Sequence, residues 1–169
     1  MTITSVPSRI VIGIGDDPAA VAALAYAVAE ARRCNAELVA VRAWGPLADP
    51  SPRDAVPPGA EAELRARAND EITRAFDEAA GGVPLDVKVK TETPEGPPGR
   101  ALARVADRAD DLIVVGRSRH LLGRRAVFGS VPDYLMDHAT CRVLVQTFPR
   151  HHRHRDEHHA DRPPTGIFY

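Results

Sequence analysis

Two short runs of aliphatic residues, RIVIGI at 9–14 and LIVV at 112–115, constrain this chain more tightly than anything else in it. An unbroken apolar run of strand length has no polar face to turn to water, so each must be a strand covered on both sides, as in a parallel sheet. What lies between them has the length and pattern of crossover helices. Asp17-Pro18 reads as an N-cap followed by proline at the first helical position, and residues 19–33 continue as an alanine-rich helix with Val21, Leu24, Ala25 and Val28 on one face. A second strand is predicted over 37–43 (ELVAVRA). The five prolines between 46 and 59 exclude helix and central strand there and mark a surface loop, the candidate for a mobile lid.

Over 60–80, Ala62, Leu64, Ala68, Ile72 and Phe76 recur at helical spacing, which predicts a long amphipathic helix ended by Gly81-Gly82. Leu85, Val87 and Val89 alternate with Asp86, Lys88 and Lys90, the pattern of an edge strand with one wet face. PEGPPG at 94–99 breaks the chain before a helix over 100–108, and a last helix and strand are predicted over 130–139 and 142–147. The order βαβαβαβαβ with helix-length crossovers gives an α/β domain: one doubly wound, five-stranded parallel sheet with helices on both faces.

With 169 residues the chain has room for one well-buried domain. The division expected is an N-terminal extension over 1–8, the domain over 9–149 and a disordered His-rich tail over 150–169. Basic and acidic residues number 22 and 23, for a net charge of −1, which argues against a nucleic-acid or anionic-membrane partner. No apolar run reaches the roughly 18 residues that a membrane span needs, and no basic start precedes the first apolar stretch, so a cytoplasmic location is expected. Cys34 and Cys141 are the only cysteines and read as reduced thiols.

Residues 111–130 (DLIVVGRSRHLLGRRAVFGS) carry the chemistry. A buried strand runs into Gly116, a basic loop with Arg117, Arg119, Arg124 and Arg125 follows, and Gly129-Ser130 opens a helix whose Asp133 completes a capping box. Glycine at 116 lets either a phosphate or a crossing backbone come close. A helix start after a glycine-rich loop exposes unpaired N–H groups that suit an anion. Ligands of such sheets sit outside the carboxyl ends of the strands where the winding reverses. If the first and fourth strands are neighbours there, the loops after Ile14 and Val115 face each other.

These residues resemble the universal stress protein family, whose mark is Gly, two residues, Gly, nine residues, Gly, then Ser or Thr. Gly116, Arg119, Gly129 and Ser130 occupy those places, with arginine in place of the second glycine. RIVIGIGDDP, AELVAVRAW, LIVVG and GSVPDYLMDHATCRVLV resemble further stretches of the family domain, from about residue 9 to 147. The resemblance implies an adenine nucleotide alpha hydrolase-like fold with strand order 3-2-1-4-5, a homodimer joined through the last strand, and a bound ATP, AMP, cyclic AMP or other adenine nucleotide, with or without Mg. Carried over by position, the contacts are the backbone at Ile14 and Gly15, Ala43 beside the adenine, Gly116, Arg117, Ser118 and Arg119 along ribose and phosphates, and Gly129, Ser130 and Val131 at the phosphate end. Gly15 stands where the family commonly has aspartate, with Asp16 and Asp17 following. Arg119 can act as a charged fork on the phosphates or fill their place.

Other constellations fail. Gly13-Ile14-Gly15-Asp16-Asp17-Pro18 has proline at the third glycine of a dinucleotide fingerprint, and Arg42 and Trp44 stand where an acidic residue would end the second strand. Residues 123–130 lack the lysine and spacing of a phosphate-binding P-loop. His120 and His138 have no G-x-S-x-G partner. The tail holds five histidines but no fixed geometry, so no metal site is assigned. The reading is a stress-response regulator that binds an adenine nucleotide and at most hydrolyses ATP slowly. The alternative is a ligand-free dimeric interaction module, open to an unknown protein partner, in which Arg119 fills the site.

Overall fold

The computed structural model describes residues 6–45, 56–117 and 131–147. Residues 46–55 of the expected lid over 46–59, most of the basic loop with Ser118, Arg119, Gly129 and Ser130, and the His-rich tail lie outside the described residues. Nine elements follow in the expected order among the described residues: β1 (Arg9–Gly13), α1 (Pro18–Cys34), β2 (Glu37–Val41), α2 (Glu61–Ala80), β3 (Val89–Glu92), α3 (Pro98–Val105), β4 (Asp111–Arg117), α4 (Val131–His138) and β5 (Arg142–Thr147). The five strands form one sheet in the order β3-β2-β1-β4-β5, and every pairing is parallel.

Successive side chains of a strand point to opposite faces, and both faces of the central strands are buried. Ile10 and Ile12 of β1 pack with Leu24 and Val28 of α1 and Ile72 and Phe76 of α2. Val11 faces the other way, into a second cluster with Ile113, Val115, Leu102 of α3 and Leu135 of α4. Each large aliphatic side chain fully removed from water contributes about 1.5–3 kcal/mol, which is why the continuous apolar runs are obligatory here.

Local signals set the helix ends. The Asp17 carboxylate accepts from the N–H groups of Ala19 and Ala20 at 2.8 and 3.1 Å, with proline at the first helical position. The chain leaves α1 through Asn35 at φ 52° and α2 through Gly81 at φ 72°, left-handed positions that release the helix. α3 starts two residues before the expected helix, because Pro98 fits the first turn, where its missing N–H costs nothing. It ends at Val105, whose carbonyl accepts from Arg9 Nη2 at 3.0 Å.

β3 differs from the expectation. Pairing with β2 sets Leu38 against Val89, so the strand runs four residues onward from Val89 and leaves Leu85 fully exposed. Val87 is buried in the α1–α2 cluster, although it precedes the strand. The strand also lies at the edge of the sheet, as expected.

At the amino end of the sheet, Arg9 Nε and Nη2 donate to both oxygens of Asp111 at 2.9 and 2.6 Å, and Nη2 also reaches Asp107 at 2.6 Å. Asp111 is wholly buried, so this clamp ties the first residues of β1 and β4 together. The hydrogen bond it donates to Asp111 outweighs burial and holds the Arg9 guanidinium well above its ordinary value. Cys34 and Cys141 are free thiols.

Candidate functional site

The opposite end of the sheet opens. A cavity of about 280 Å³ lies at the carboxyl ends of β1, β2 and β4, where the winding reverses between β1 and β4. Ile14, Gly15, Ala43, Gly116 and Val131, drawn from three different turns and the start of α4, line it together. Of the remaining expected site residues, Arg117 is described but does not line the cavity, and its Nη2 pairs with Asp133 of α4 at 3.1 Å. Val41, Leu102, Val115 and Pro98 supply apolar wall, the surface that a flat base or other uncharged ring would cover.

Gly116 has a definite tenant. A Cβ at this position would lie 2.5 Å from the backbone carbon of Ala19 and the nitrogen of Ala20. Of the two sequence readings of this glycine, close approach of a crossing backbone is therefore realised by the first turn of α1. Gly15 is less crowded: its Cβ would meet the Ala20 methyl at 3.0 Å and Asp17 Oδ2 at 3.9 Å, with no backbone atom of another segment against it.

The carboxylates that follow Gly15 take separate jobs. Asp17 spends its Oδ1 on the two N–H groups at the start of α1. Asp16 stays largely outside the core, its side chain 75% exposed, and accepts from Arg42 Nη2 at 2.9 Å. Arg42 is the residue that sequence reasoning left out of the site. Its Nε donates to Glu71 of α2 at 2.6 Å and its Nη1 to the Ile14 carbonyl at 3.0 Å, so one guanidinium joins the ends of β1 and β2 to α2. Burial works against this charge, but the hydrogen bond it donates to Asp16, ahead of the fields of Asp16 and Glu71, holds it above its ordinary value. Its place follows from the strand order, which makes the residues just past β1 and β2 neighbours, and not from any pattern local to residue 42.

The arrangement is polar end to end. Asp16, Asp17 and Arg42 line one side of the cavity beside the N-terminus of α1, and the first residue of α4 lines another; both helix starts carry partial positive charge. No group of three His, Cys, Asp or Glu side chains among the described residues could hold a metal ion. No helix among them is long and apolar enough to cross a membrane.

Comparison with known proteins agrees with this geometry. A family model described as universal stress protein family matches residues 7–146. A universal stress protein from Lactobacillus plantarum is 26% identical with a TM-score of 0.58, over 84% of this chain and 99% of that one. A universal stress protein crystallised in complex with cAMP is 24% identical with a TM-score of 0.54, over 85% and 98% of the two chains. One from Archaeoglobus fulgidus in complex with dAMP is 18% identical with a TM-score of 0.50, over 84% and 99%. No curated protein sequence matches the chain significantly.

Proposed function

The chain belongs to the universal stress protein family, and on that premise we propose that it is a stress-response regulator that binds an adenine nucleotide at the switch point of its sheet. The observation that carries the reading is the single cavity wall formed by Ile14, Gly15, Ala43, Gly116 and Val131. These residues come from distant parts of the chain, and all five hold positions that the family resemblance assigns to the ligand. The apolar wall suits an adenine ring, and the start of α4 suits phosphate. The ligand is ATP, AMP or cyclic AMP, with Mg²⁺ accompanying a triphosphate through its own oxygens.

Regulation rather than turnover fits the groups present. The carboxylates at the rim are engaged by Arg42 and by the cap of α1, and neither is placed as a base beside a nucleophile. Slow ATP hydrolysis would fall to water, with the basic loop supplying charge. Solution behaviour follows from the sheet edge. β5 pairs only with β4 among the described residues and carries partly buried Val143, Leu144 and Val145, an edge that a second copy of the chain would cover in a homodimer. The reading includes a cytoplasmic location, in keeping with two free thiols, and one domain followed by the His-rich segment 150–169.

Calorimetric titration of the full chain with ATP, AMP and cyclic AMP, with and without Mg²⁺, tests this. Saturable heat with at least one nucleotide is expected. No heat and no thermal shift at millimolar ligand would leave the family domain as a ligand-free interaction module instead. Arg119→Gly then assigns the arginine: a gain in affinity makes it a plug and a loss makes it a phosphate clamp.

A further inference from the structure

Resting on the nucleotide reading above, we propose that Gly99 and Tyr134 are a positioning pair: their contact sets the separation of α3 and α4 at the cavity, and through it the grip on the phosphate end of the ligand. Each partner stands directly behind the cavity wall. Gly99 follows Pro98, which lines the cavity, and Tyr134 lies almost one helical turn after Val131, which lines it as well. A change in the spacing of Gly99 and Tyr134 is therefore a change in the spacing of two walls.

The contact is tight, and it falls on atoms of Tyr134 that rotation cannot clear. A Cβ at Gly99 would lie 2.8 Å from Tyr134 Cδ1, 3.0 Å from Cγ and 3.1 Å from Cβ. Turning χ1 moves a ring but leaves Cβ where the helix backbone puts it, so any larger residue at 99 must push α4 itself away. The ring is also backed from its own helix: it stacks on His138, with centroids 4.0 Å apart and planes at 3°. One turn along α3, Leu102 shares a core cluster with Leu135 of α4, and Gly99 with Tyr134 extends that packing to the first turn of α3.

What this spacing serves follows from the helix starts. Three of them among the described residues reach the cavity: α1 through Asp17 and Ala20, α3 through Pro98 and α4 through Val131. All three carry partial positive charge. The start of α1 already holds an anion, the Asp17 carboxylate that accepts from the Ala19 and Ala20 N–H groups, with Asp16 beside it. α3 begins with no side-chain cap and no acidic residue in its first turn. The acidic residue in the first turn of α4, Asp133, is paired with Arg117 at 3.1 Å. The field left for a phosphate is thus that of the α3 and α4 starts, and it fades within about one turn, so the two add only while both stay close to the same group.

The test compares AMP with adenosine, by calorimetric titration of the full chain and its Gly99→Ala, Tyr134→Ala and Tyr134→Phe variants, with melting curves to establish that each is folded at the working temperature. Gly99→Ala is expected to weaken AMP by about tenfold, the usual effect of losing one hydrogen bond to a charged group, while adenosine stays within about twofold. Tyr134→Ala, which leaves the start of α4 unsupported, should weaken AMP in the same selective way, and Tyr134→Phe, which keeps the ring, should restore it. With Gly99→Ala and Tyr134→Ala combined, the two losses should fall short of multiplying, because the ring that the new methyl strikes is gone. A structural role alone would lower the melting temperature and leave the AMP-to-adenosine ratio of the folded chain as it was; that result overturns the proposal. Equal weakening of both ligands, or losses that multiply in full, overturns it too. Should Gly99→Ala fail to fold, the two Tyr134 variants decide by the same ratio. A natural chain that binds neither ligand overturns the nucleotide reading and this proposal with it, and is recognisably a different result.

Discussion

Gly116→Ala is the sharpest test of how the site is built. The added methyl would lie 2.5 Å from the Ala19 carbonyl carbon and the Ala20 nitrogen and 2.6 Å from the Ala19 oxygen. Carbon atoms in contact prefer about 3.5–4.0 Å, so the start of α1 must retreat by about 1 Å. It cannot do so cheaply. The obstacle is helix backbone, and α1 is anchored by Ala19, Ala20, Ala23, Leu24, Ala27, Val28 and Ala31, all buried. Overpacking costs about 1–3 kcal/mol, and a backbone obstacle places this site at about 3. For a domain of this size that corresponds to a melting temperature lowered by about 6–12 °C. Calorimetric or circular dichroism melting of the ligand-free chain measures it, with Gly59→Ala as control. Gly59 sits at φ +90° with nothing within 4 Å of a Cβ, so its substitution brings backbone strain of about 1 kcal/mol and no clash. A Gly116→Ala chain that melts with the natural one, or no lower than the control, would refute the claim that α1 occupies this space. If it melted normally and lost only nucleotide affinity, the glycine would be serving the ligand directly.

Two further outcomes are expected. Arg9→Met removes the charged partner of the wholly buried Asp111, leaving the Arg108 N–H at 3.0 Å, and should cost about 3–5 kcal/mol by denaturant unfolding; a cost below about 1 kcal/mol would mean the carboxylate does not depend on that charge. The Glu37 carboxyl is held below its ordinary value, mainly by Lys88 with Lys90 behind it, at 3.0 and 3.2 Å from Oε1. A carboxyl depressed on folding contributes stability above its unfolded value, near 4.3, and loses it as pH falls through the folded value. Glu37→Gln should therefore lower the melting temperature at pH 7, with the difference shrinking as pH falls through the folded value, and a difference that does not change with pH would refute the pairing.

The central sheet could be read in the sequence because burial on both faces leaves no latitude: Ile10, Val11 and Ile12 have core on both sides, and no polar residue fits. Asp17 and Gly81 were legible for a related reason, since each solves a local backbone problem that few residues can solve. β3 was misplaced because alternation at Leu85, Val87 and Val89 looks the same whether or not a partner strand is alongside. Its position is set by register with β2, a relation between residues about fifty apart. The cavity was legible as a list of backbone positions at Ile14, Gly15, Gly116 and Val131. The Arg42 fork was not. Arg42 sits among Asp16, Glu71 and the Ile14 carbonyl by virtue of the fold, and nothing local to residue 42 announces three partners that lie 26 to 29 positions away.

The clamp between Arg9 and Asp111 spans 102 residues of sequence, and that separation has a meaning in time as well as in space. At about 5–20 residues per second, a ribosome needs several seconds or more after making Arg9 before Asp111 exists at all. During that interval β1 can pair with β2 and receive α1 and α2, but its other edge has no strand to meet. The nascent molecule is half a sheet with an apolar border, and its Arg9 still awaits a buried counter-charge. The pairing of β1 with β4, which brings two walls of the cavity together, thus becomes available only after β1, β2 and β3 have all been made.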